Sequence, residues 1–345
     1  MNLLPNSEQS EIVSVIREFL SNEISVRRYQ DEELLGRSYS ASLWQQLVGM
    51  GWFGISQSES IGGSALGLVD EVMLAREAGR QLVSPTVIAT TAAVHLCTAM
   101  GNELLAQQLM TGEKRAALAL AESLNIEAST EANNLSGEIK IFDGENADFI
   151  FLCYGQVGDE HSSCLIKASA VTDRQSAACI DESIALELAT LSATSCEVLS
   201  KESSLVNIFA LLLAGNLVGI AEAARDQSAG YAIEREQFGK AIGSFQSINH
   251  MCADMAVAAE AAWAQLAYAA LAVTEKMDCA ELQVASVVLL AKKAAIDNAR
   301  DNVQIHGGVG FTVEYDAHLF MKRYHVYKEI LDYFFECQPR IIIES

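Results

Sequence analysis

Apolar residues recur at helical spacing along the first hundred positions. From Ser7 an amphipathic run through Ile12, Val15, Ile16 and Leu20 follows an acidic opening, Glu8 and Glu11, which suits the positive end of a helix dipole. Ser40 to Gly51 places Leu43, Trp44, Leu47 and Val48 on one face. Gly62-Gly63 then breaks the chain, Leu66 to Leu82 reads as a helix, and a further helical stretch runs from about Thr86 to Leu109. The middle changes period. Ala116–Ala121 is an apolar run, Glu138–Phe142 alternates weakly, and Phe149–Tyr154 and Cys164–Ala168 are short runs bounded by Gly, Asp, Asn and Ser. This predicts a small, mostly antiparallel sheet over about 116–200. Long helices return over about 203–233, 244–275, 282–305 and 316–337. Short links, Gln237–Lys240 and Gly307–Gly310, make antiparallel neighbours of them. The expected fold is α+β and mostly α, in three parts. They are an N-terminal helical domain (1–115), a middle β-sheet domain (116–200) and a C-terminal four-helix bundle (201–345).

Composition supports this picture. Of 345 residues, 50% are hydrophobic and 20% charged, so the chain buries cores rather than staying disordered. Only 3 prolines are present, which leaves long helices uninterrupted. Ser203–Ala221 carries no charge over a length that would span a bilayer. Two Ser, two Asn and two Gly interrupt it, and its helical pattern continues through Glu222, Ala223, Arg225 and Tyr231, as a buried bundle helix would. A net charge of −22 repels nucleic-acid phosphates, and no polybasic run serves an anionic membrane. The 8 cysteines form no CxxC pair and suggest no metal site. With no basic or apolar leader pattern at Met1–Glu8, the expected compartment is the cytoplasm.

Fingerprints for Rossmann and P-loop nucleotide sites, HExxH zinc sites and GxSxG nucleophiles are absent, and the 6 histidines are dispersed. Two stretches stand out. One is Tyr231-Ala232-Ile233-Glu234-Arg235-Glu236-Gln237-Phe238-Gly239-Lys240-Ala241-Ile242, followed by Phe245-Gln246. The other is Gln304-Ile305-His306-Gly307-Gly308-Val309-Gly310-Phe311-Thr312-Val313-Glu314-Tyr315. Taken singly, Arg235 could merely pair with Glu234 or Glu236 on the surface. Gly307-Gly308 could be an ordinary helix C-cap, and Phe238 and Phe245 could be packing residues.

Together the two stretches resemble the acyl-CoA dehydrogenase family, whose C-terminal bundle carries an Arg-x-x-Phe-Gly turn and a Gln-x-x-Gly-Gly turn. Trp44-Gln45-Gln46-Leu47-Val48-Gly49-Met50-Gly51-Trp52, the Gly62-Gly63 break and Arg76-Glu77-Ala78-Gly79-Arg80 are similar to the family's first domain. The resemblance implies FAD as cofactor, an acyl-CoA substrate, an electron-transfer acceptor and an oligomer with FAD at a subunit interface. On it, Arg235, Gln237, Phe238, Gln246, Gln304, Gly307 and Gly308 are the cofactor-binding residues. The chemistry suits them. A pyrophosphate takes a planar cationic fork, amides donate and accept, and glycine lets the backbone come close to a ligand.

The catalytic part of the pattern departs. The family removes the Cα proton of a thioester with a Glu that opens a Glu-Gly-Thr turn, while hydride leaves Cβ for the flavin. That position falls on Leu331 here, in Lys328-Glu329-Ile330-Leu331-Asp332-Tyr333, and the alternative base position falls on Phe209. Glu329 and Asp332 are the nearest acids, and Glu329 is the candidate base. Ala121-Glu122-Ser123 stands for the flavin loop, and Ile141-Phe142-Asp143 replaces a Trp-Ile-Thr strand. In these departures the chain resembles short divergent subunits that join a second, more standard dehydrogenase subunit in α2β2 assemblies acting on bulky CoA thioesters such as steroid side chains. The expected activity is introduction of a 2,3-double bond into such a thioester. The alternatives are a non-catalytic partner that completes a neighbour's FAD site and another flavin oxidase of the family.

Overall fold

The computed structural model describes residues 6–24, 26, 41–128, 133–154, 162–200 and 203–335. Its contacts divide the chain into two compact units, one of Met1–Arg27, Val72–Leu82 and Ala210–Leu331 and another of Arg28–Glu71, Val83–Phe209 and Asp332–Ser345.

The first unit is helical. Helix α1 (Ser7–Glu23) starts at a capping box, in which the Asn6 side chain accepts from the Gln9 N–H at 2.8 Å and Gln9 accepts from the Asn6 N–H at 3.0 Å. Its buried face is Val13, Ile16 and Leu20. Val15, expected on that face, is 54% exposed. Helices α3 (Leu68–Arg80) and α6 (Ser203–Glu234) touch through glycine. A Cβ on Gly79 would lie 2.1 Å from the Asn216 carbonyl oxygen, so no larger residue permits this backbone approach. Around that contact the buried Glu77 accepts from Arg17 at 2.7 and 2.8 Å, while Arg80 bridges Glu222 (3.1 Å) and Asp226 (2.6 Å). The most apolar stretch of α6 is 83% buried, the mark of a core helix, although its length and composition would pass for a membrane span. Helices α7 (Gln246–Thr274), α8 (Ala280–His306) and α9 (Ala317–Phe335) follow, all near the expected boundaries. The expected end of the last helix, at 337, lies outside the described residues.

The second unit packs helices on a sheet. Helix α2 (Ala41–Gly49) buries Leu43, Trp44 and Leu47. The stretch read as one helix to Leu109 is two, α4 (Pro85–Ala99) and α5 (Glu103–Met110). Gly101 at φ 71° stops the first, and the Asn102 side chain caps the second by accepting from the Leu105 N–H. Seven strands follow: β1 (Ala116–Ala128), β2 (Asn133–Phe142), β3 (Phe149–Tyr154), β4 (Ser162–Lys167), β5 (Thr172–Ala177), β6 (Leu186–Ser195) and β7 (Val198–Ser200). Their order is β5-β6-β2-β1-β3-β4-β7. Only the β1–β3 pair is parallel among the described residues. One face carries Ala117, Ala119, Ile139, Ile141, Ile150 and Leu152. Leu118, Leu120 and Phe151 on the opposite face are buried too, which is why β1 and β3 read as unbroken apolar runs. Beside the sheet, on α4, His95 Nε2 lies 2.7 Å from Glu71, which also accepts from the Ser56 hydroxyl at 3.1 Å.

Candidate cofactor site

After α6 the chain forms a minimal hairpin, β8 (Glu236–Gln237) paired with β9 (Lys240–Ala241). Phe238 (φ 55°) and Gly239 (φ 79°) are its two turn residues, both in the left-handed region that such a turn demands. Glycine meets that demand freely. Phe238 is strained by it, and the residue is 93% exposed. The ring stands edge-on to Phe245 at 6.3 Å, and the Lys240 ammonium sits 4.2 Å above Phe245. The Arg235 carbonyl accepts from the Ile242 N–H at 2.8 Å, which closes the base of the hairpin.

The second motif ends α8. Gly307 caps that helix at φ 66° and donates to the carbonyls of Gln304 and Val303. A helix cap is therefore one of its roles. The backbone beyond it is open, however, since nothing lies within 4 Å of a Cβ built on Gly307 or Gly308. Gly310 is the constrained one, where a Cβ would lie 2.8 Å from the Val303 carbonyl oxygen.

Packing between α6, α7 and α8 brings the motifs together. Ala224, Ala232, Met255 and Ile305 form a buried cluster, flanked by Tyr231 and Ile242. The Tyr231 and His306 rings stack with centroids 4.1 Å apart. Arg235, Gln237, Phe238, Gln246, Gln304, Gly307 and Gly308 are all exposed. Gln237 donates to the Glu236 carbonyl at 2.8 Å. Among the described residues, Arg235 forms no ion pair with Glu234 or Glu236, and the side chains of Gln246 and Gln304 make no hydrogen bond. A permanent cation, unspent amides and an open glycine backbone are a donor set that fits the pyrophosphate and ribityl groups of FAD.

No carboxylate stands at either expected base position. Phe209 is 1% exposed and packs edge-on against Phe151 at 5.2 Å, and Leu331 is fully buried. Glu329 lies on α9 and is exposed. Ile141 and Phe142 are buried in β2. Asp143 is spent on structure, accepting from the Ser84 hydroxyl at 2.5 Å and the Ala185 N–H at 2.9 Å. Ala121 is buried in β1, and the side chains of Glu122 and Ser123 lie outside the described residues. No thiol is primed for chemistry at Cys97 or Cys153, since burial pushes each up to about 12.

The model of the acyl-CoA dehydrogenase N-terminal domain matches residues 6–112 and that of the C-terminal domain matches 203–331. The chain belongs to the acyl-CoA dehydrogenase family. It is 33% identical to acyl-CoA dehydrogenase FadE34 of Mycobacterium tuberculosis (strain ATCC 25618 / H37Rv) over 81% of this chain. That alignment spans only 38% of FadE34's own length. Acyl-CoA dehydrogenase IpdE2 of the same strain is 29% identical over 86% of this chain and 84% of its own. Among solved structures, the ChsE4-ChsE5 complex from Mycobacterium tuberculosis contains a chain that superposes with a TM-score of 0.87. It covers 100% of this chain and 98% of its own at 20% identity, a likeness of fold.

Proposed function

We propose that this acyl-CoA dehydrogenase is one subunit of an FAD-dependent enzyme that introduces a 2,3-double bond into a bulky CoA thioester such as a steroid-derived one. The observation that carries the reading is the exposed, unspent Arg235, Gln246 and Gln304 set tied by packing to the open Gly307–Gly308 backbone. In this reading Arg235 binds a pyrophosphate charge and the diglycine admits the cofactor's chain. The exposed Phe238 ring covers one side of it. FAD, when bound, supplies the acceptor for the Cβ hydride. This chain's residues at the two base positions, Phe209 and Leu331, can exclude water but cannot take the Cα proton.

That second observation favours a partner. The carboxylate comes from a more standard dehydrogenase subunit, and this chain's hairpin completes the partner's FAD site. The segments 1–115, 116–200 and 201–345 act as the three domains of such a subunit. The reading includes a cytoplasmic location and an electron-transfer acceptor for the reduced flavin. The test is an absorbance spectrum of the purified chain alone and after co-expression with an adjacent dehydrogenase-like gene. Flavin bands that appear or strengthen in the co-purified complex support the reading. A complex that stays colourless in excess FAD contradicts it.

A further inference from the structure

The ring of His306 is placed where both motifs can be held by it. It stacks on Tyr231 at 4.1 Å, with 22° between the planes, and meets Tyr315 edge-on at 5.6 Å. Tyr231 and Tyr315 are themselves perpendicular at 5.8 Å, so three rings from three separate segments close on one another. Each ring is next to a motif. The Tyr231 carbonyl accepts from the Arg235 N–H at 2.9 Å, and His306 directly precedes Gly307.

We propose that His306 is a positioning residue, a planar ring packed against both Tyr231 and Tyr315 that locks the Arg235 hairpin against the Gly307–Gly308 turn. The inference rests on reading those two segments as one cofactor site. His306 Nδ1 lies 2.8 Å from the Asn302 carbonyl oxygen, so Nδ1 carries the proton and donates it. Burial favours the neutral ring and pulls its pKa below the ordinary value, against the Asn302 hydrogen bond and the charge of Asp316, which act the other way. A second clamp lies one turn back. The Asn302 side chain accepts from the Ser228 hydroxyl at 2.8 Å and donates to Gln227 at 2.6 Å, both on α6. Helix α8 is thereby registered against α6, and the His306 ring carries that register to the turns beyond the helices. Shape is what the position needs. Leucine fills similar volume without a flat face, whereas phenylalanine keeps the face and loses the two ring nitrogens, the Nδ1 donor among them.

The test is backbone hydrogen–deuterium exchange over 235–242 in the full chain without added FAD. His306→Leu is expected to speed exchange there about tenfold, and His306→Phe to restore near wild-type protection. Tyr231→Leu should reproduce the loss, and the double variant should fall short of the sum of the two, because both remove the shared Tyr231–His306 stack. Wild-type protection in His306→Leu and Tyr231→Leu would overturn the proposal, as would equal loss in His306→Phe and His306→Leu. FAD titration of Arg235→Ala, read alongside, separates the two ideas. An unaltered affinity there counts against the cofactor reading, while the exchange data still decide the role of His306.

Discussion

Arg235 has no carboxylate partner among the described residues, so its guanidinium is available to a ligand at no cost in broken ion pairs. Arg235→Ala should therefore leave the melting temperature of the free chain unchanged. FAD affinity should fall roughly tenfold to hundredfold, the scale of one lost charge-assisted hydrogen bond. Flavin titration beside a thermal melt checks both halves. The diglycine divides its duties residue by residue. The left-handed backbone belongs to Gly307, whereas Gly308 has no positive φ and faces open space. Gly308→Val should thus cost no more than about 1 kcal/mol of stability, yet fill the path a ligand would take. A variant that melts normally and no longer retains FAD is the expected result.

At the scale of elements, His95 on α4 pairs with Glu71 across the second unit. Burial pulls the His95 pKa down, but the charge and hydrogen bond of Glu71 outweigh it, and the net direction is upward. A raised folded value means that the pair's stabilisation is complete below about pH 6.5, the unfolded value. It is then lost as pH rises through the folded value. Melting curves of wild type and His95→Gln should therefore converge as pH rises above about 6.5 and through the raised folded value. A constant gap would show that the pair does not titrate in that range. Legibility in the sequence also differed from element to element. The four long helices of the bundle were readable because uninterrupted apolar periodicity and scarce proline leave little else possible. Strand β5, Thr-Asp-Arg-Gln-Ser-Ala, was not, since an exposed edge strand needs no apolar alternation. The break between α4 and α5 lies in Gly101-Asn102, where apolar residues on both sides, such as Leu96, Met100, Leu104 and Leu105, carry a helical pattern across it. The motif residues were legible through resemblance alone. The Tyr231–His306 stack that joins them was not, because no local pattern records a contact between helices so far apart in the chain.

At the scale of the whole molecule, the central claim is that the chain contributes to an FAD site but carries no proton acceptor of its own at the family's base positions. Glu329 is the residue that could defeat the claim, being the candidate base of the two nearest acids and exposed on α9. If it were the base, Glu329→Gln would lower turnover by at least about a hundredfold. The account expects nearly unchanged activity in the assembled enzyme instead. The measurement that tests this most directly is single-turnover flavin reduction by a reactive CoA thioester, for the lone chain loaded with FAD and for the chain with its dehydrogenase partner. The account predicts rapid bleaching only in the complex, equally fast with Glu329→Gln. Rapid bleaching by the lone wild-type chain, abolished by Glu329→Gln, would contradict it.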